Sequence, residues 1–274
     1  MTSEASESTP PILTVDGPVA TARLNRPRHL NRIEPEDLTA LHAILDAVEA
    51  APAIRVLVLT GTGRAFSAGY HLGDMAARNA ASRTEETPAQ ETHKQETPAE
   101  AGFERLADRL EDLAVPTIGR LNGSVYGGST DLALACDFRI GVEGSEMRMP
   151  AARLGLHYYP GGLTRFTTRL GPDAAKRLFL TAQRIEAREM LAIGYLTSLV
   201  PPEALDAEVA ALAATLAAGA PTAIRGMKRT INEIARGTLD AGAARARHRD
   251  SLRGPEIEEG LRAFAEKRLP VFTG

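Results

Sequence analysis

Two glycine-containing turns carry the residues of this chain that could do chemistry. The first reads AFSAGYHL over residues 65–72, and the second reads NGSVYGGSTDL over residues 122–132. Each places small residues where a predicted strand gives way to a helix. At a helix start, unpaired backbone N–H groups point outward and the helix dipole adds positive charge. Two such N–H groups directed at one point would form an oxyanion hole.

Asp131 is the acid or base that this arrangement predicts. It follows Gly128 by three residues, so on a helix the two share a face, and the Asp131 side chain leans back toward the helix start. A carboxylate beside an oxyanion hole suits proton transfer next to a carbonyl group. The alternative is that Asp131 only interacts with the helix dipole. Neither turn has the GxxxxGK[ST] or GxGxxG pattern of a phosphate-binding loop.

The pattern of apolar residues predicts an α/β chain whose last third is helical. Residues 54–60 read IRVLVLT, which is typical of a strand buried on both faces. A hairpin is predicted around Asp16-Gly17, between strands over 12–15 and 19–24. Further strands are predicted over 116–122 and 138–142, and helices over 35–51, 103–113 and 127–135. From Pro172 onward nearly every segment is predicted to be helical.

We divide the chain into a disordered tail over residues 1–11, an α/β core over 12–200 and a helical C-terminal region over 201–274. Within the core, residues 77–102 are rich in Ala, Glu, Thr, Gln and Pro and nearly lack large apolar side chains. Burial cannot offset the ordering entropy of such a segment. We interpret it as a polar, lid-like insertion. The alternative is a linker between two domains.

Composition excludes several classes of protein. The 274 residues include 32 basic and 35 acidic side chains, a formal charge of -3 that argues against a nucleic-acid partner. Cys136 is the only cysteine, which fits a reducing compartment. No apolar run approaches the ~20 residues of a membrane helix, and the N-terminus lacks the apolar segment of a secretory signal. We therefore predict a cytoplasmic protein with no membrane partner, and no metal, since no ligand cluster has suitable spacing.

Both turns resemble the signature segments of the enoyl-CoA hydratase/isomerase (crotonase) family. The resembling segments are FSAGYHLGDM and NGSVYGGSTDLALACDFRI, and the similarity continues through residues 24–27, 154–156, 160–162, 169–171, 174–181 and 266–272. The resemblance implies a crotonase-like spiral of ββα units with a helical C-terminal trimerisation region. It also implies a homotrimer or a dimer of trimers, and an acyl-CoA thioester substrate. Coenzyme A would enter as part of that substrate, with no other cofactor.

The resemblance assigns roles to residues of this chain. The N–H groups of Tyr70 and Gly128 would hold the thioester oxygen as it becomes an enolate, and Asp131 would move protons. By analogy, the acyl-pantetheine part would contact Leu30 and the segment that comprises Ala68, Gly69, Tyr70, His71, Leu72 and Gly73. Arg28 and Lys267 would meet the CoA phosphates. The alternative for both is an ordinary solvated surface charge.

One departure from the family pattern bears on the reaction. The family's hydratases use two glutamates, and these positions fall on Asp131, which has a shorter arm, and on Ala151, which cannot transfer a proton. Candidates to replace the missing carboxylate are His71, His157 and Tyr159. Each of these is alternatively a packed or hydrogen-bonded core residue, as we predict for Tyr158.

Three functional hypotheses follow. The first is an enzyme resembling enoyl-CoA hydratase that adds water to, or shifts, a carbon–carbon double bond. The second, motivated by Ala151, is a family isomerase, hydrolase or decarboxylase. The third is a protein that binds CoA thioesters without catalysis.

Overall fold

The computed structural model describes residues 8–71 and 98–273, with the backbone alone for residues 98–101. The predicted insertion at 77–102 and the predicted tail at 1–11 therefore lie largely outside the described residues. The helix predicted over residues 103–113 begins at Pro98, within the predicted insertion.

The strands form two sheets. The first has the order β1-β2-β3-β5-β7-β10 and the second has the order β4-β6-β8-β9. The strands are β1 (Ile12–Asp16), β2 (Val19–Leu24), β3 (Val56–Gly61), β4 (Ala65–Ser67), β5 (Thr117–Leu121), β6 (Ser124–Tyr126), β7 (Phe138–Val142), β8 (Glu146–Arg148), β9 (Ile185–Glu186) and β10 (Ser198–Val200). Only the outer pairs β1–β2 and β8–β9 are antiparallel among these described strands.

The helices follow the strands in a repeated order. They are α1 (Pro35–Ala50), α2 (Pro98–Asp112), α3 (Ser129–Ala135), α4 (Pro160–Leu170), α5 (Pro172–Thr181), α6 (Ala187–Ala192), α7 (Leu205–Ala218), α8 (Pro221–Ala235), α9 (Ala241–Ser251) and α10 (Pro255–Glu266). The pairs β3–β4, β5–β6 and β7–β8 each give one strand to each sheet, and a helix follows the first two pairs. These stacked ββα units bring the ends of β4 and β6 side by side.

Local sequence explains why these elements form. All six residues of β3 are buried, as expected of a continuous apolar run in the middle of a parallel sheet. At the start of α1, the Glu34 N–H donates to the Asp37 carboxylate at 2.9 Å, and Pro35 occupies the first turn, where a missing N–H costs nothing. The apolar face of α1 packs into the main core through Leu38, Leu41, Ile44, Leu45 and Val48.

The C-terminal third is less uniformly helical than the sequence predicts. The short strands β9 and β10 interrupt the helices after Pro172, and β10 pairs in parallel with β7. Three residues are too few for a periodic signal, so only pairing with a strand far away in the sequence defines β10. Among the described residues, no single helix is both long and apolar enough to cross a membrane. The segments Pro202–Ala218 and Pro221–Ala235, bent by 107°, meet that criterion only as a pair.

Candidate active site

The first turn is held by a short segment that precedes α1. The Leu30 carbonyl accepts a hydrogen bond from the Ala68 N–H at 2.7 Å, and Ile33 bonds to both neighbours of Tyr70. Its N–H donates to the Gly69 carbonyl at 2.9 Å, and its carbonyl accepts from the His71 N–H at 3.0 Å. Because backbone groups alternate in direction along an extended chain, this parallel pairing turns the Tyr70 N–H away from Ile33.

The second turn lies directly against the first. Gly69 has a φ of +92°, and a Cβ at this position would lie 2.7 Å from the Tyr126 carbonyl oxygen and 3.1 Å from the Gly128 nitrogen. Only glycine fits such a conformation and such a close approach. Gly128 is the residue that caps the start of α3, where helical geometry gives the amide no acceptor within the helix. The amides of Tyr70 and Gly128 therefore belong to two contacting turns.

A pair of buried serines ties these turns together. The Ser129 hydroxyl donates to the Ser67 hydroxyl, which donates to the Asn31 carbonyl at 2.7 Å. The Ser67 oxygen also accepts from the Gly69 N–H at 3.1 Å. One side chain thus links the segment before α1, the first turn and the start of α3. The sequence gives no signal of this bridge, because its partners are 62 residues apart.

Asp131 has no exposed surface, and only one of its two carboxyl oxygens accepts hydrogen bonds from the described residues. Its Oδ2 accepts from the Tyr159 hydroxyl and from Arg165 Nη1, each at 2.6 Å. Its Oδ1 is buried and has no hydrogen-bond partner among the described residues. Burial raises the pKa of Asp131 above that of an ordinary aspartate, while the Arg165 charge and the Tyr159 hydrogen bond oppose this rise. Within the described part of the chain, Oδ2 of this carboxylate is therefore held by two donors and Oδ1 by none.

Arg165 is the residue near Asp131 that the sequence analysis missed. It is 2 % exposed and lies on the buried face of α4 with Gly162 and Phe166. A charged side chain at the i+3 position of an apolar helix face is the signal that could have revealed it. Its other partners are Asp108 at 2.6 Å and Glu111 at 3.2 Å, both on α2.

The candidates to replace a carboxylate at position 151 lie in different places. Ala151 itself is buried at the start of a short 3₁₀ helix. Tyr159 contacts Asp131 directly, and its ring stacks on Tyr158 with a centroid distance of 4.1 Å. His157 is exposed, with Nδ1 2.8 Å from the Tyr158 carbonyl oxygen. His71 is half-buried, and its Nδ1 lies 2.9 Å from a Glu34 carboxylate oxygen.

Of the predicted CoA-binding residues, the structure brings Leu30, Ala68, Tyr70 and His71 together. Arg28 is exposed in a 3₁₀ turn shortly before Leu30. Lys267 is exposed at the C-terminal end of α10. Leu72 and Gly73 lie outside the described residues. Within residues 8–71 and 98–273, no group of three His, Cys, Asp or Glu side chains could hold a metal ion.

The sequence of this chain is similar to those of known proteins over nearly its whole length. The family model described as enoyl-CoA hydratase/isomerase matches residues 14–274. A crotonyl-CoA hydratase of Syntrophomonas wolfei is 30% identical over 264 residues, covering 95% of this chain and 96% of the relative. A carnitinyl-CoA dehydratase of Salmonella typhi is 31% identical over 269 residues, covering 96% of this chain and 97% of the relative.

Solved structures of similar proteins share the fold of this chain. The structure of an enoyl-CoA hydratase/carnithine racemase from Magnetospirillum magneticum superposes with a TM-score of 0.87 at 28% identity, covering 97% of this chain and 96% of the other. The predicted crotonase-like α/β fold is thereby confirmed, and its stacked ββα units carry both turns.

Proposed function

Because the chain belongs to the enoyl-CoA hydratase/isomerase family, we propose that it acts on an acyl-CoA thioester through an enolate. The N–H groups of Tyr70 and Gly128 hold the thioester oxygen, and Asp131 transfers a proton at the adjacent carbon. The overall reaction adds water to, or shifts, a carbon–carbon double bond. One observation carries the proposal: a buried carboxylate, one helical turn from Gly128, whose Oδ1 has no hydrogen-bond partner among the described residues.

The two turns support an oxyanion hole. Gly69 contacts Gly128 so closely that no side chain fits between them, and Gly128 opens α3. Negative charge that develops on a thioester oxygen is stabilised by backbone donors and by the positive end of a helix dipole. A backbone donor also explains why a tyrosine is acceptable at position 70, because its side chain takes no part in the donation.

Ala151 favours a second candidate within the same family. Hydration needs one group to activate water and another to protonate carbon, whereas a double-bond shift needs a single group that removes and returns a proton. Ala151 is buried and offers no such group. Isomerisation, or the hydrolysis or decarboxylation of a related thioester, is therefore the alternative to hydration.

Asp131→Asn tests the proposal. We expect turnover of crotonyl-CoA by hydration, and of a 3-enoyl-CoA by isomerisation, to fall about 10²–10⁴-fold, the usual contribution of a general acid or base. Thioester binding, measured by calorimetry, should persist. Whichever of these two substrates the wild-type protein turns over with the higher kcat/KM identifies the reaction.

Asp112→Asn is the matched control. Asp112 is an exposed aspartate at the end of α2, where it pairs with Arg236 rather than with Arg165. It should keep wild-type turnover. Unchanged turnover in the Asp131 variant would remove Asp131 from the mechanism. Binding without turnover of any acyl-CoA by the wild type would leave a non-catalytic thioester-binding protein.

A further inference from the structure

Arg165 stands at the centre of a buried charge cluster behind Asp131. It contacts three carboxylates, which belong to Asp108, Glu111 and Asp131. Glu111 in turn pairs with Arg169 and Arg236. Since an isolated buried charge is very costly, every charged member of such a cluster depends on its partners.

We propose that Arg165 is a positioning residue that holds Oδ2 of Asp131, favours the ionised form of this carboxylate and leaves Oδ1 as the atom that accepts the substrate proton. This inference rests on the proposed role of Asp131 and adds which oxygen reacts and what fixes it. Oδ2 already accepts two hydrogen bonds of 2.6 Å, so its remaining capacity is small. Oδ1 is the oxygen without a partner among the described residues.

The balance of charge around Asp131 explains why it needs a cation. Burial makes the charged form unfavourable, and the negative charge of Glu111 adds to this effect. Arg165 supplies the opposing positive charge, and its own pKa is raised by Asp131 and Glu111 despite its burial. Without Arg165, two buried carboxylates would lose the cation that they share, and the pKa of Asp131 would rise further. A protonated Asp131 cannot act as a base.

Within residues 8–71 and 98–273, the other groups near Asp131 do not replace this cation. Tyr159 donates to Oδ2, Tyr158 donates to Tyr159, and Tyr195 donates to the Thr130 carbonyl. The pKa of each of these tyrosines is raised by burial, so all three are neutral donors. The ionisable groups of β5 and β6 have other partners: Arg120 pairs with Asp206, and Tyr126 donates to Glu146.

The test measures the ionisation of Asp131 in two ways. One is the acid-side midpoint of the kcat/KM profile against pH. The other is the ¹³C carboxyl shift of Asp131 during a pH titration of ¹³C-aspartate-labelled protein, assigned by its loss in Asp131→Asn. The second readout needs no turnover. If Asp131 proves not to be catalytic, the proposed function fails, while the shift still reports whether Arg165 controls its charge.

Arg165→Gln should raise both midpoints by about 1–3 pH units, the range by which a nearby opposite charge lowers a carboxyl pKa. Arg165→Lys keeps the charge and should move the midpoints back toward the wild-type values. Arg169→Gln is the matched control, because Arg169 contacts Glu111 and the carbonyls of Leu134 and Cys136 at the end of α3 but not Asp131. It should shift the midpoints less than Arg165→Gln. Unchanged midpoints in Arg165→Gln would overturn the proposal.

Asp108→Asn decides the question if Arg165→Gln does not fold. The Asp108 side chain is 47% exposed and shares Arg165 with Asp131. Its neutralisation leaves more of the Arg165 charge to Asp131, so both midpoints should move to lower pH. Asp112→Asn is the control for the direct effect of losing a negative charge on α2, because Asp112 pairs with Arg236 and not with Arg165, and it should shift the midpoints less. An unchanged or higher midpoint in a folded Asp108→Asn variant would contradict the proposal.

Discussion

At the scale of single residues, the Tyr159 hydroxyl connects the Tyr158 hydroxyl to the carboxyl group of Asp131. It accepts from Tyr158 at 2.9 Å and donates to Asp131 at 2.6 Å. Because this bond favours the ionised form of Asp131, Tyr159→Phe should raise the pKa of Asp131. A hydrogen bond to a charged group contributes about 1.5–3 kcal/mol, and one pH unit corresponds to about 1.4 kcal/mol. The acid-side midpoint of kcat/KM should therefore rise by about one to two pH units.

Tyr158→Phe is the control for this prediction. It removes the hydroxyl that donates to Tyr159 but leaves the bond between Tyr159 and Asp131 in place. Its midpoint should stay closer to that of the wild type. Equal shifts in the two variants would mean that packing of the stacked rings, rather than the bond to Asp131, sets the midpoint.

At the scale of elements, the serine bridge joins β4 to the start of α3. Ser67→Ala leaves the Gly69 N–H and the Ser129 hydroxyl without their partner. An unsatisfied buried group costs about 1–3 kcal/mol, and misplacement of either turn also lowers kcat. We expect both losses in urea unfolding followed by circular dichroism and in steady-state assays.

Ser145→Ala separates stability from activity in that experiment. Ser145 is a buried serine between β7 and β8, and its hydroxyl donates to the Val142 carbonyl at 2.6 Å. Its loss should reduce the free energy of unfolding without reducing kcat. If both variants lose kcat equally, the serine bridge has no special role in positioning the turns.

The elements themselves could be predicted well from the sequence, and their long-range contacts could not. The Asp16-Gly17 hairpin, the buried strand β3 and the helix that starts after Gly128 all follow from local pattern. The predicted proximity of Asp131 to Gly128 also needs only helical periodicity. A helix-face pattern could identify Arg165 as buried, but not its partner. The contact between Arg165 and Asp131 and the serine bridge join residues 34 and 62 positions apart, which no local pattern encodes.

At the scale of the whole molecule, the C-terminal helices carry apolar side chains that no other part of the described chain covers. Exposed examples are Met227, Ile231, Ile234, Leu252, Leu261 and Phe264. Exposed apolar surface of this extent is typical of a subunit interface. We predict a homotrimer, or a dimer of trimers, in analytical ultracentrifugation. A monomeric wild type at micromolar concentration would contradict this prediction.

Phe264→Glu tests which surface is used. Phe264 is 85% exposed, and a charge there should weaken association because an interface would have to desolvate it. Leu180→Glu on α5 is the control, since Leu180 is 71% exposed outside the C-terminal region. It should leave the sedimentation coefficient unchanged.

Cys136 gives the molecule a built-in reporter. This single thiol is fully buried at the end of α3, and burial raises its pKa to about 12. A maleimide dye can therefore modify it only while the end of that helix has separated from the sheet. The labelling rate of the native protein measures how often the element that carries Asp131 opens, and a bound thioester should slow it.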